Sequence, residues 1–326
     1  MANSIQYRAD KKDAVMATIG IWKINPFIGG TEVSLIEMAR FLRQCGHEVW
    51  VYGSDRGVGY IARELGVMVS PESDIWNHKH DVLLWYDDYL RFPINEKLVR
   101  YMKEIPHRYG VFGGFAPWLA SPVFDKAIAK SSEISAWLEQ RRIETAIISQ
   151  FPITLDYWKS TPRENKSLPI VGYVGRVENK NLKQLVSIAK CAGNCHVKFT
   201  VNDRTDTEGV RSLGCEVVAG QPLMKPAYQE MDIFMMTSLM EGVPRVIMEA
   251  MAMSLPVVVW GIGGISTLGA TYTLPPNSEK EAVSALQGLV QNYERRRDIG
   301  SINRSRIEEY DSQIRNRLSN WLGGML

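Results

Sequence analysis

Apolar positions along this chain change period repeatedly, from short continuous runs to helical stripes and back. Ala14–Ile21 is an apolar run that breaks at the turn Pro26-Phe27-Ile28-Gly29-Gly30-Thr31. Past the turn, Val33, Leu35, Ile36, Met38, Ala39, Phe41 and Leu42 fall on one broad helical face, with Glu32, Glu37, Arg40 and Arg43 largely off it. Gly46 stops the helix, and Glu48-Val49-Trp50-Val51-Tyr52 supplies the next strand. Strand, glycine turn, crossover helix and strand make a β-α-β unit, whose two strands run parallel.

The alternation predicts further strands at 82–85, 109–112, 127–129 and 146–149, with a helix at 132–140. Residues 151–168, FPITLDYWKSTPRENKSL, interrupt it with two prolines and a polar tract, the composition of a domain linker. A second series follows, with strands at 169–174, 197–201, 215–218, 233–236 and 256–259 and helices at 182–191, 245–253 and 279–292. Tyr310, Ile314, Leu318 and Leu322 then step at three to four residues, as in an amphipathic terminal helix. The expected architecture is α/β, two Rossmann-like doubly wound parallel-sheet domains facing a central cleft. The first spans 1–155 and the second 165–305, and the terminal helix, 306–326, packs back toward the first.

Composition narrows the function classes. A length of 326 residues suits two domains, and 45% hydrophobic with 23% charged residues is globular, which excludes disordered, collagen-like and coiled-coil chains. The formal net charge is +2, with acids and bases balanced in both halves, so neither half is a polyanion binder by net charge. The arginines at 295, 296, 297, 304, 306, 315 and 317 could meet an anionic membrane or nucleic acid. They are interleaved with Glu294, Asp298, Glu308, Glu309 and Asp311, which favours a solvated, ion-paired helix face. The four cysteines are sparse, and Cys191-x3-Cys195-His196 has no second ligand pair at a zinc-like spacing, so reduced thiols and no metal are expected. The first residues contain no signal-peptide core, and no apolar run reaches the roughly 18 residues that span a bilayer. A cytoplasmic protein is expected.

The densest candidate chemistry follows the run Ile233-Phe234-Met235-Met236, in Glu241-Gly242-Val243-Pro244-Arg245-Val246-Ile247-Met248-Glu249. Pro244 suits the first turn of a helix, placing Glu241 in the loop before it and Glu249 inside it. Were the whole interval helical, eight residues at about 1.5 Å rise would separate the carboxylates by at most about 12 Å along the axis, near the reach from ribose to sugar in a nucleotide sugar. Unpaired amides over Gly242–Val246, with the positive end of the helix dipole, would favour a diphosphate between them. Taken by themselves, the two read more simply as a solvated loop charge at Glu241 and an ion-paired helix residue at Glu249. Arg176 and Lys180 follow the run Ile170–Gly175, so they fall beyond the carboxyl end of a strand, where open parallel sheets bind ligands. A planar guanidinium and a compact ammonium there can neutralise a diphosphate leaving group.

Together the segments GYVGRVENKN and DIFMMTSLMEGVPRVIMEAMAMSLPVVVWGIGG resemble the carboxyl-terminal domain of retaining glycosyltransferases of family 4, which have the GT-B fold. Glu241 and Glu249 match that family's E-x7-E motif. The stretch IGGTEVSLIEMARFLRQCGHEVWVYG is similar to its glycine loop and first helix, and the segment ending at Asp156 to the end of its first domain. The resemblance implies transfer of a sugar, in the hexosyltransferase manner, from a nucleotide-sugar donor to an acceptor hydroxyl with retention of configuration. No metal or other cofactor is implied. Glu241, Arg176 and Lys180 would be catalytic. Gly29, Gly30, Gly220, Gln221, Gly242, Val243, Pro244, Arg245 and Glu249 would hold the donor, Glu249 at the ribose and Gly220-Gln221 beside the base. The acceptor could be a glycan, a lipid, a small molecule or modified DNA, with peripheral membrane contact possible.

Departures from the pattern are visible. The spacing from Arg176 to Lys180 is one residue shorter than the family's, and Gly113-Gly114 stand where many members carry a His, while His107 precedes that strand. Gly263-Gly264 keep a paired-glycine loop without the acidic residue that often follows. Aromatics at Trp85, Tyr86, Tyr89, Phe112, Phe115 and Trp118 could stack on sugar or base. Two other readings compete: a nucleotide-sugar-binding protein that transfers nothing, and a nicotinamide dehydrogenase using Gly57-Val58-Gly59-Tyr60-Ile61-Ala62. That last string follows the second strand at a distance instead of forming the tight turn after the first.

Overall fold

The computed structural model describes residues 16–22, 30–53, 58–86, 107–112, 126–130, 132–177, 180–201, 208–219 and 223–323. The chain divides into two compact units, one formed by residues up to 27, 35–148 and 315–326, the other by 28–34 and 149–314.

In the first unit the described strands are β1 (Thr18–Trp22), β2 (Glu48–Tyr52), β3 (Val69–Ser70), β4 (Val82–Tyr86), β5 (His107–Phe112), β6 (Lys126–Ala129) and β7 (Glu144–Ile147), in the spatial order 3-2-1-4-5-6-7. Every pairing is parallel, with Ile19 opposite Val49 on one side and Val82 on the other. The crossovers include α1 (Gly30–Gln44), α2 (Val58–Glu64) and α3 (Ser132–Glu139). Gly46 takes φ +97° just past α1, and the next amide, His47 N, donates to Leu42 O at 3.2 Å, so a left-handed residue ends the helix. At the middle of β1 a Cβ on Gly20 would lie 2.7 Å from the His80 ring. That buried imidazole bonds Tyr52 OH at 2.9 Å, and burial pushes its pKa down to about 4.

The second unit holds β8 (Ile170–Gly175), β9 (His196–Val201), β10 (Glu216–Ala219), β11 (Ile233–Met236), β12 (Val257–Trp260) and β13 (Tyr272–Leu274), all parallel, in the order 10-9-8-11-12-13. Its helices are α4 (Leu182–Ala192), α5 (Glu208–Arg211), α6 (Lys225–Glu230), α7 (Arg245–Ala252), α8 (Glu279–Gln291) and the first part of α9 (Tyr293–Gly323). Helices cover both faces of such a sheet, so β11 and β12 are buried at every residue and read as unbroken apolar runs. Each sheet reverses its strand order once, between β1 and β4 in the first unit and between β8 and β11 in the second, which is the doubly wound, Rossmann-like arrangement expected of each domain.

Three expectations change. Residues 151–168 lack regular structure but are packed within the second unit: Phe151, Ile153 and Trp158 are fully buried, and Arg163 donates to the carbonyls of Met231, Met253 and Tyr228. The terminal helix begins at Tyr293, not near 306, and runs 31 residues. Its polar first half is held by side-chain bonds to the end of α7 and the loop after it, Arg304 Nη1 to Ala252 O at 2.6 Å and Asn303 Nδ2 to Leu255 O at 2.9 Å, so no apolar stripe marked it. Pro244 is the extended N-cap of α7, one residue before the first turn. The described part of the GxGxxA string begins α2, which follows β2. No described helix is long and apolar enough to cross a membrane.

Candidate functional site

Strand order explains why residues some 60 positions apart meet. β8 and β11 are neighbours at the reversal point, and beyond their carboxyl ends stand Arg176, Lys180 and Asn181 on one side and Thr237–Pro244 on the other. Thr237 ties the loops together, its hydroxyl donating to Asn181 O at 3.0 Å and Lys180 O at 3.3 Å. Lys180 Nζ forms an ion pair with Glu241 Oε1, their side chains 20% and 12% exposed. Gly175 ends β8 at φ +138°, and Tyr173 OH donates to Arg176 O at 2.6 Å, turning the chain outward. Arg176 itself is exposed, and its guanidinium makes no hydrogen bond among the described residues.

The loop 241–244 rests on the paired glycines. Gly264 N donates to Gly242 O at 2.9 Å, and a Cβ on Gly263 would fall 1.9 Å from Glu241 O, so only glycine lets the two backbones meet there. Gly242 is exposed, Val243 and Pro244 half-buried. Gly30 lies against the first turn of α7, where a Cβ would sit 3.3 Å from Arg245 Cβ. Gly29, Gly220 and Gln221 lie outside the described residues, as do Gly113, Gly114, Tyr89, Phe115 and Trp118.

Glu249, fifth in α7, is 5% exposed. It accepts from Tyr228 OH at 2.8 Å, and Arg245 Nε, one turn back, stands 3.6 Å from its other oxygen. Helical i,i+4 spacing makes this pair, so Glu249 is both an ion-paired helix residue and a carboxylate of the motif. Each carboxylate oxygen has two lone-pair sites, and these two partners leave capacity for further donors. Burial pushes the Glu249 carboxyl up to about 7, against the pull of Arg245 and Tyr228, and burial beside that carboxylate pushes the Tyr228 phenol well above its usual value. The sign of the stability effect follows from proton counts. Below the ordinary carboxyl value both folded and unfolded chains hold the proton. Between about 4.5 and about 7 only the folded chain does, so stability falls as pH rises, by on the order of 3 kcal/mol in total. Glu249→Gln, which mimics the protonated form, is expected to flatten this part of the curve and to exceed the unsubstituted protein in stability at pH 8. Urea midpoints at pH 5 and 8 measure it, and identical pH dependence in both proteins would refute the assignment.

Sequence reasoning missed Tyr228 and Gln150. Tyr228 sits in α6 with no pattern linking it to Glu249. Gln150 lies one residue before the expected linker, and its Nε2 donates to Val243 O at 2.9 Å. The Cys191, Cys195 and His196 trio is not gathered into a ligand set: Cys191 is exposed, Cys195 Sγ points to Ala189 O, and His196 pairs with Glu216 at 2.7 Å. A separate polar cavity of about 400 Å³ flanks the starts of β8 and β9, but its buried cation, Arg296, is committed to Leu289 O, Val290 O and Asn165.

Comparison with known proteins gives three kinds of likeness. Residues 168–292 match the family described as glycosyl transferases group 1. The sulfoquinovosyl transferase SQD2 of Arabidopsis thaliana is 30% identical over 157 residues, 44% of this chain and 31% of that protein, so the chain matches about a third of this relative's length. Among solved structures, a glycosyltransferase from Rickettsia africae ESF-5 superposes with a TM-score of 0.69 at 14% identity, covering 94% of this chain and 98% of that one. Anabaena Alr3699/HepE in complex with UDP gives 0.67 at 16% identity, covering 95% and 100%. Residues 168–292 therefore carry the sequence pattern of glycosyl transferases group 1, within a chain that has the fold of GT-B glycosyltransferases.

Proposed function

We propose that this chain is a glycosyltransferase that binds a nucleotide sugar at the loops following β8 and β11 and transfers the sugar to an acceptor hydroxyl with retention of configuration. The observation that carries the proposal is the Lys180–Glu241 pair at the strand-order reversal of the second sheet, inside the segment that matches glycosyl transferases group 1. A cation and a carboxylate there suit a ligand with a diphosphate and a polyol side by side. In the proposed reaction the bond from the anomeric carbon to the diphosphate oxygen breaks, and the acceptor oxygen bonds that carbon from the same face. The acceptor proton leaves on the departing nucleoside diphosphate, so atoms and charge balance.

Lys180 turns from Glu241 to the diphosphate, joined by the exposed guanidinium of Arg176, and these two cations supply the charge neutralisation in the proposal. Amides of Gly242, Val243 and Arg245 and the positive end of α7 face the same phosphates. Glu241, released from Lys180, accepts from sugar hydroxyls, and Glu249 accepts from the ribose diol. Gly30 permits close backbone approach, and Gly29, Gly220 and Gln221 complete the donor contacts in this reading. A screen of the common nucleotide sugars, read by released nucleotide with and without simple glycoside acceptors, tests it. Release from at least one donor, with micromolar binding of the matching nucleoside diphosphate, is expected. Binding without release under any acceptor would leave a nucleotide-sugar-binding protein, and absence of binding would overturn the reading altogether.

A further inference from the structure

The chain enters the second unit at Ser149 and immediately meets the loop that precedes α7. Gln150 Nε2 donates to Val243 O at 2.9 Å. Arg245 Nη1 donates back to Phe151 O at 3.3 Å and Pro152 O at 3.1 Å. The segment that receives these bonds is itself fixed. Phe151, Ile153 and Trp158 are fully buried, Ile153 N donates to Asp311 Oδ1 at 2.7 Å, and Arg304 Nη1 donates to Trp158 O at 2.9 Å. Arg245 thus links three things: the first turn of α7, the carbonyls of residues 151 and 152, and the Glu249 carboxylate.

Burying a guanidinium is costly, and an apolar side chain of similar volume would fill the same space without desolvating a charge. Arg245 is 4% exposed. What the charge supplies that an apolar residue could not is direction: a planar guanidinium whose Nη1 is shared between two carbonyls while Nε faces the Glu249 carboxylate at 3.6 Å. Gln150 adds a neutral tie, fixing the carbonyl of Val243 and with it the plane of the Val243–Pro244 peptide, which has no N–H of its own but lies between the amides of Val243 and Arg245.

We infer that Arg245 and Gln150 are positioning residues for the nucleotide, holding Glu249 and the amides of Gly242, Val243 and Arg245 against the segment 149–152 so that nucleotide affinity depends on that segment. The inference rests on the nucleotide-sugar reading of the second unit. Neither side chain touches the nucleotide in it; both act through groups that do. Among the described residues the groups facing Glu249 are Arg245 on its own helix and Tyr228 on α6, so loss of the Arg245 cation leaves a phenol as the carboxylate's described partner and makes it harder to ionise.

UDP is the probe, with ADP and GDP run in parallel, in calorimetric titrations between pH 5.5 and 8.5 on the full chain. The unsubstituted protein is expected to bind more tightly as Glu249 ionises through about pH 7. Gln150→Ala should weaken binding about tenfold with the pH midpoint unchanged. Arg245→Met should weaken it more than tenfold and move the midpoint upward, and Arg245→Lys should restore the midpoint but not the affinity. Titration of the phosphate is common to all variants and cancels in the comparison. Folded variants with unchanged affinity and unchanged midpoints would overturn the inference while the nucleotide-sugar reading stands. Failure of the unsubstituted protein to bind any of the three nucleotides would overturn that reading, and the inference with it. Should Arg245→Met not fold, Gln150→Ala, a half-buried side chain, still decides: unchanged affinity there refutes the role.

Discussion

Alanine at position 263 is expected to destroy the site without touching any proposed contact. A Cβ there would stand 1.9 Å from Glu241 O and 3.3 Å from Gly242 O, both backbone atoms that no rotamer change can move. Its φ of +51° adds the cost of a left-handed conformation for a residue with a side chain. The two loops must separate, which breaks the bond from Gly264 N to Gly242 O and carries Glu241 away from Lys180. Overpacking and backbone strain together make this a loss on the order of 3 kcal/mol or more. Donor hydrolysis is expected to fall at least about a hundredfold, because ångström-scale displacement of a positioned group has that effect. Gly209→Ala is the control, since no atom lies within 4 Å of a Cβ there, and it should be neutral or slightly stabilising. Thermal midpoints and hydrolysis rates of the two variants measure the difference. A Gly263→Ala protein with unaltered midpoint and turnover would mean that the two loops do not meet as described.

How far the sequence could be read depended on what each segment buries. The strands IFMM and VVVW were plain because helices cover both faces of a parallel sheet and every residue is apolar. β3, with two residues, and β13, with three half-buried ones, carry too little periodicity to register. The early turns of α9 were invisible for a different reason. Arg296 and Asn303 are buried there and satisfied by hydrogen bonds, so the packed face of those turns is partly polar. The same blindness turned 151–168 into an expected linker, although Phe151, Ile153 and Trp158 are buried as deeply as any core residue.

For the site, strand ends could be located from apolar runs, which placed Lys180 and Glu241 in loops. Their pairing was not legible, because it needs the strand order, in which β8 and β11 become neighbours only after β9 and β10 have been laid down on the other side. The i,i+4 relation of Arg245 and Glu249 was present in the spacing, yet spacing does not say that the pair points inward. Tyr228 had no local signal at all: its hydroxyl reaches Glu249 because α6 precedes β11 and α7 follows it, an adjacency of topology and not of sequence.

The second large effect concerns the Lys180–Glu241 pair, where stability and catalysis should separate. As a bond between charged groups that are mostly withdrawn from solvent, it contributes about 1.5–3 kcal/mol, and a double-mutant cycle on unfolding free energy should report coupling of that order. Glu241→Gln keeps the shape and one acceptor oxygen, so it should cost less than Lys180→Ala, which leaves a carboxylate without its cation. Catalysis should order the variants differently. In the proposed reaction the two groups part when the donor binds, Lys180 to the diphosphate and Glu241 to the sugar, so each is needed for its own contact. Glu241→Gln is expected to lower donor turnover by about a hundredfold or more with UDP affinity within about threefold, the mark of a group used mainly in the transition state. Lys180→Ala should lower turnover and also weaken UDP, because the diphosphate is present in both states. The exchanged double variant, Lys180→Glu with Glu241→Lys, rebuilds the ion pair and should recover most of the stability. It should recover none of the activity, since a carboxylate would then face the phosphates. Recovered turnover in that variant would make the pair a structural tie between two loops and remove both residues from the reaction.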